Sequence, residues 1–153
     1  AIVPVVNGSN YVRANLIGVE TLSTQTFQLL SKISDQLLQL NASFTAIKDE
    51  HLSALSSCKQ LKQLELNGTS ISNKGLASLD ALENLEILIV NALRIDAHPT
   101  HLNLEEALAF VNEIKPKRAY FTHISHKLGF HEDVEKILPE NVFLSYDGLQ
   151  ITL

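Results

Sequence analysis

"LKQLELNGTSISNKGLASLDAL", residues 61–82, repeats one period upstream as "LLQLNASFTAIKDEHLSALSSC", residues 37–58. At an offset of 24 residues, Leu37, Leu40, Thr45, Ile47, Leu52, Leu55 and Cys58 fall on Leu61, Leu64, Thr69, Ile71, Leu76, Leu79 and Leu82. The next step sets Leu61 and Leu64 on Leu85 and Leu88, which opens a third copy in "LEILIVNAL". Seven apolar or identical matches at one fixed offset mark an internal repeat.

Each copy reads as a strand, a turn and a helix. "LKQLEL" alternates, so Leu64 and Leu66 point to one face of a short strand. "NGT" breaks the strand, and Gly68 supplies the backbone freedom of the turn. In "SNKGLASLDAL", Leu76, Leu79 and Leu82 stand three apart and form one apolar helical stripe. A unit this small cannot bury both its strand and its helix, so the copies must stack.

The pattern L-x-x-L-x-L-x-x-T/N resembles leucine-rich repeats, most closely the bacterial variety with T-x-I-(S/T)-(D/N)-x-G-L in each turn. That resemblance implies parallel strands with helices covering one side. It covers residues 37–90 and is weaker over 1–36, where "FQLLSKI" offers Phe27, Leu30 and Ile33 as a helical stripe but the offset slips by one. A terminal cap, which seals the open end of a stack, is expected there. The outward strand positions are Gln39, Gln63, Glu65 and Glu86, a set with no aromatic pattern that would name a ligand.

From residue 89 the period stops. "NLEEALAFVNEI", residues 103–114, reads as a helix with Asn103 as N-cap, Glu106 three residues on, and Leu104, Ala107, Leu108 and Val111 on its apolar face. Pro116 ends it, and "RAYFTHI", residues 118–124, reads as a buried strand. "FHEDVEKILP" is a second, shorter helix. "NVFLSYD" and "LQITL" read as strands joined at Asp147-Gly148, a hairpin signal. The fold class is therefore α/β, with parallel strands and right-handed crossovers running through both halves.

Five of the six histidines lie between positions 98 and 131. His98 and His101 of "HPTH" follow the strand "LEILIV", and His123 and His126 follow "RAYFT". Ligands collect at the carboxyl edge of parallel strands, so both pairs are expected on one rim. Imidazoles converging there are the usual construction of a zinc or related metal site, whereas a lone loop histidine is ordinarily an exposed polar group.

Residues 88–152 resemble the C-terminal part of a metallo-β-lactamase-fold hydrolase, closest to the cyclic-phosphate phosphodiesterase branch, through "ALR", "HPTHLNLEEA" and "THISH". The resemblance implies that His123 matches a metal ligand, with zinc or manganese as the metal. It implies that His101 matches a histidine near the scissile phosphate, able to protonate a leaving oxygen or steady developing charge. His98 and His126 would be neighbours on the same rim. Where the family carries a bridging aspartate this chain has Asn91, and the family's H-x-H-x-D-H motif is missing, since His51 is the sole histidine before His98.

"LENLEILIVNAL", residues 82–93, satisfies both patterns. The expected division is a cap region over 1–36, repeat-like residues over 37–88, and a metallo-β-lactamase C-terminal-half-like part over 89–153, all in one continuous folded unit. Two truncated signatures sharing a strand imply a chimera, by recombination or design. The leading expectation is a scaffold without an intact catalytic site. A residual metal-dependent phosphodiesterase, with His98, His101, His123 and His126 holding one metal completed by Asp96, Asp147 or a second subunit, stands beside it. A repeat-based protein-binding module is the third reading.

Bulk properties narrow the classes further. The 153 residues suffice for one core, and 45% hydrophobic with 19% charged content describes an ordinary globular chain. A formal charge of −5 argues against nucleic acid and anionic membranes as partners. Self-association is expected wherever a half-fold exposes apolar surface. The single cysteine, Cys58, excludes an internal disulfide and reads as a core residue. No run reaches the roughly 20 apolar residues of a membrane span, and "AIVPVVNGSNYV" lacks signal-peptide character, so a cytoplasmic location is expected. A start at Ala1 rather than Met suggests a processed or engineered chain, and the sequons at Asn7, Asn41 and Asn67 read as chance occurrences.

Overall fold

The computed structural model describes residues 1–19, 22–79 and 81–153. Among the described residues seven strands form one sheet in sequential order: β1 (Ile2–Pro4), β2 (Val12–Asn15), β3 (Leu37–Asn41), β4 (Gln63–Glu65), β5 (Ile87–Asn91), β6 (Arg118–Thr122) and β7 (Val142–Leu144). β1 runs antiparallel to β2, and every later pairing is parallel. The chain is a mixed α/β protein with a seven-stranded sheet.

The 24-residue period becomes the register of the sheet. Leu40 lies opposite Leu64, which lies opposite Leu88. Each step of one repeat is thus one strand sideways, and identical positions stack. The turns repeat as well: the buried Thr45 hydroxyl donates to the Ala42 carbonyl at 2.6 Å, and Thr69 donates to Leu66 at 2.7 Å. Gly68 has the left-handed φ of +59° that the turn requires, and Phe44 takes the same conformation (φ +55°) one repeat earlier. At β2 the register shifts between Val12 and Arg13, so the ladder is irregular at this end of the sheet.

A sheet whose strands follow in order, with crossovers of one hand, collects its helices on one face. These are α1 (Thr24–Lys32), α2 (Asp49–Leu52), α3 (Leu104–Ile114) and α4 (His131–Glu135), with 3-10 turns at Ser53–Ser57 and Asn73–Ser78. Phe27 and Leu30 of α1, Leu52 and Leu55, Leu40, Leu64 and Leu88, and Phe110 of α3 share one core with Cys58. Asn103 caps α3 as expected: its Oδ1 accepts from the Glu106 amide at 2.8 Å, and Glu106 Oε2 accepts from the Asn103 amide at 2.9 Å.

Two expectations are corrected. The repeat helices are only a short α2 with a 3-10 extension, and a 3-10 segment at Asn73–Ser78. A 24-residue repeat that also holds a strand and two turns leaves too little chain for a longer helix. Leu79 and Leu82 are buried as the stripe requires, while the Leu76 side chain lies outside the described residues. The hairpin at Asp147-Gly148 also fails. The chain turns there, with the Leu149 amide donating to the Tyr146 carbonyl at 3.1 Å, but residues 149–153 form no strand. Instead Leu149 and Ile151 lie on Ile87, Ile89 and Tyr120 and cover the apolar half of the sheet's second face. Strands β1 and β2 carry no clean alternation and were not expected.

Asp49 joins successive repeats, accepting from the Ser72 amide at 2.7 Å and the Ser72 hydroxyl at 2.6 Å. Gly75 packs against this joint: a Cβ there would stand 2.6 Å from Leu52 Cδ1 and 2.8 Å from Asp49 Oδ1. Gly75→Ala is therefore expected to destabilise the fold by about 1–3 kcal/mol in urea unfolding, and an unchanged midpoint would show that the joint yields freely.

Candidate functional site

Two loops at the carboxyl rim of the sheet carry the histidines. The first, between β5 and α3, is closed at its neck, where Leu93 donates to the Leu102 carbonyl and Leu104 to that of Arg94, each at 2.9 Å. The Arg94 guanidinium braces it from within, bonding the carbonyls of Asp96 at 3.1 Å and Ala97 at 2.6 Å. The second loop follows β6 and is tied to the first through Ser125, whose amide and hydroxyl both donate to the Leu93 carbonyl. Arg94, Thr100 and Ser125 thus position the rim. Sequence reasoning passed over them because it weighed ligand types rather than loop braces.

His98, His101 and His123 come together. The His101 and His123 rings stack with centroids 4.8 Å apart and planes 17° from parallel. His98 meets His101 edge-on at 5.0 Å, with the two Nδ1 atoms 3.3 Å apart. The Thr100 hydroxyl bridges the pair, 2.8 Å from His101 Nδ1 and 3.3 Å from His98 Nδ1. His123 adopts φ +54°, a left-handed conformation costly for a side chain of its size, which turns the chain sharply at the end of β6. His126 is exposed and stacks on none of these rings among the described residues. The i, i+3 spacing implied a shared face only in a helix, and His123–His126 lie in a loop. His131 belongs to α4, with its Nδ1 3.9 Å from Glu135.

Asn91 ends β5 beside Thr122, buried to 2% exposure, and its Nδ2 has no hydrogen-bond partner among the described residues. Across it, the Thr122 hydroxyl donates to Asn67 Oδ1. Shallow cavities flank the rim. One of about 240 Å³ lies against His98, His101, Ser70 and Glu106, and one of about 340 Å³ lies against His123, Tyr146 and Asp147.

These donors do not make a metal centre of the expected kind. A zinc site needs three or four donors converging on a point. The His101 and His123 rings stack in planes 17° from parallel, an arrangement in which in-plane lone pairs do not meet at one point, and a neutral Asn91 cannot bridge as a carboxylate does. Among the described residues no group of three or more His, Cys, Asp or Glu is arranged to hold a metal ion. The two Nδ1 atoms at 3.3 Å are spaced as two ligands of one tetrahedral zinc would be, about 3.3–3.4 Å for bonds of about 2.0–2.1 Å, but they are two donors only.

No protein-family model matches the chain. A solved structure, that of a new diphosphatase from the PhnP family, matches with a TM-score of 0.51 and 39% identity over 58% of this chain and 34% of that one. An octanoyltransferase of Porphyromonas gingivalis (strain ATCC BAA-308 / W83) is 32% identical over 65 residues, 42% of this chain and 13% of that protein. The chain thus spans about a third of the diphosphatase and about an eighth of the transferase. The diphosphatase likeness supports the metallo-β-lactamase-like part of the sequence reading. Among the described residues no helix is long and apolar enough to cross a membrane.

Partial burial, and then the neighbouring His123 and His98, hold the His101 imidazole below its ordinary value of 6.5. The unfolded chain therefore takes up this proton at a higher pH than the folded chain. Stability that is present at neutral pH is lost as the pH falls below about 6.5. The melting temperature should drop through that window, and more shallowly in His101→Gln. An identical slope in the variant would show that His101 is not the group responsible.

Proposed function

We propose that this chain is an α/β scaffold bearing one wall of a phosphoester-hydrolase site of the metallo-β-lactamase type, with no complete metal centre on the described residues. The observation that carries this reading is the packing of His98 and His123 around His101 at the carboxyl rim, beside the neutral Asn91. In this reading His101 faces a phosphoryl or leaving-group oxygen. Thr100 and His98 hold its Nδ1 edge, which leaves Nε2 for the substrate. A bound phosphate would favour the protonated imidazole, because opposite charge offsets the burial that disfavours it. His123 occupies the position of a family metal ligand. Residues 37–88 act as a leucine-rich-repeat-like platform that extends the sheet, and the common strand β5 joins the two parts as a chimera would.

The test is hydrolysis of bis(p-nitrophenyl) phosphate by the full chain, with zinc, with manganese and with chelator, alongside thermal melts in the same solutions. The expected result is no metal-stimulated turnover and a melting temperature that chelator leaves unmoved. A metal that bound only the folded state would raise it by mass action.

A second reading is favoured by the 3.3 Å Nδ1 spacing of His98 and His101: a residual metal-dependent phosphodiesterase. It requires further donors from Asp147, Asp96 or another chain. Turnover that depends on zinc or manganese and disappears in His123→Ala would establish it and displace the first.

A further inference from the structure

The sheet has a second face, away from the histidine rim. Side chains alternate along a strand, so while Leu40 and Leu64 enter the core, Gln39, Asn41, Gln63 and Glu65 point to the opposite side. The C-terminal segment covers only the apolar half of that side, over Ile87, Ile89 and Tyr120. The polar half stays open as a cavity of about 470 Å³, walled by Val3 of β1 and Ile151 of the tail. That volume is in the range of small-molecule sites, about 300–1,000 Å³.

The cavity floor is organised around one carboxylate. Glu65 accepts from Asn41 Nδ2 at 2.6 Å and from Gln63 Nε2 at 2.8 Å, while Gln39 Nε2 donates to Gln63 Oε1 at 3.3 Å. These amides fix the carboxylate but bring it no charge. Among the described residues Glu65 has no ion-pair partner, and burial pushes its carboxyl up. Arg13 lines the same cavity and is likewise without an ion pair. Arg13 lies opposite Gln39, which lies opposite Gln63. Its strand is therefore about 10 Å from that of Glu65, and Glu65 is a further two residues along. The backbones of Arg13 and Glu65 are thus set apart within one hollow.

We infer that this cavity binds a small zwitterion, whose ammonium group meets Glu65 and whose anionic group meets Arg13. A singly charged molecule satisfies one group and leaves the other without a counterion. A molecule with opposite charges at its two ends satisfies both, and the Gln and Asn amides serve its polar middle. Glu65 and Arg13 set specificity jointly.

The test is a titration of the full chain, followed by amide NMR shifts, with 6-aminohexanoate and with hexanoate and hexylamine as single-charge controls. Saturable shifts confined to β2, β3 and β4 are expected, with at least fivefold tighter binding of 6-aminohexanoate than of either control. Glu65→Gln and Arg13→Gln should each reduce its affinity to the level of a control, and the same spectra report whether the variants are folded. Absence of saturable shifts, equal affinity for all three molecules, or undiminished binding by a folded Glu65→Gln variant would overturn the inference.

Discussion

Strand β5 is the member on which both halves of the molecule depend. All five of its residues are buried. Leu88 and Val90 enter the helix-side core, and Ile87 and Ile89 enter the cluster beneath the C-terminal segment. Full burial of each such side chain is worth about 1.5–3 kcal/mol, against a total stability of about 5–15 kcal/mol for a domain. β4 on one side continues the repeat register, and β6 on the other leads to His123. Its last residue, Asn91, sits where the two loops of the rim begin.

Sequential parallel order gives the two faces of the sheet different fates. The helices and 3-10 turns cover one face, where Leu40, Leu64 and Leu88 are buried. The other receives only a few residues of the C-terminal segment, enough for its apolar half. The rest is paved with Gln, Asn and Glu in hydrogen-bonded rows, as a surface that remains wet must be. Polar side chains are therefore gathered at two places, the carboxyl rim and the polar half-face, and both follow from one topology.

Much of this was legible in the sequence because local periodicity and long-range pairing coincide here. The offset that aligns Leu40, Leu64 and Leu88 in the chain is the offset that pairs them in the sheet. The cap of α3 was equally readable, since Asn103 and Glu106 satisfy each other within one turn. Features decided by distant contacts were not. The segment 149–153 alternates like a strand, yet its apolar residues serve as a lid over Ile87 and Ile89. β2, with the sequence VRAN, is a strand because β3 offers it a ladder, not because of its own pattern. His126 shares its spacing with His98–His101 but not its surroundings, because loop geometry has no fixed period. The stacking of His101 on His123 depends on Arg94 and Ser125 locking two loops together, residues that no metal-ligand motif points to.

The rim brings a buried, neutral Asn91 close to near-parallel imidazoles of His101 and His123, and among the described residues no group of three or more His, Cys, Asp or Glu is arranged to hold a metal ion. The most direct test is elemental quantification of zinc and manganese per chain, after purification in metal-containing buffer and exhaustive dialysis. Well under one tightly held metal per chain is expected of an incomplete donor set, whereas one or two retained per chain and lost in His123→Ala would show a working metal centre at the rim.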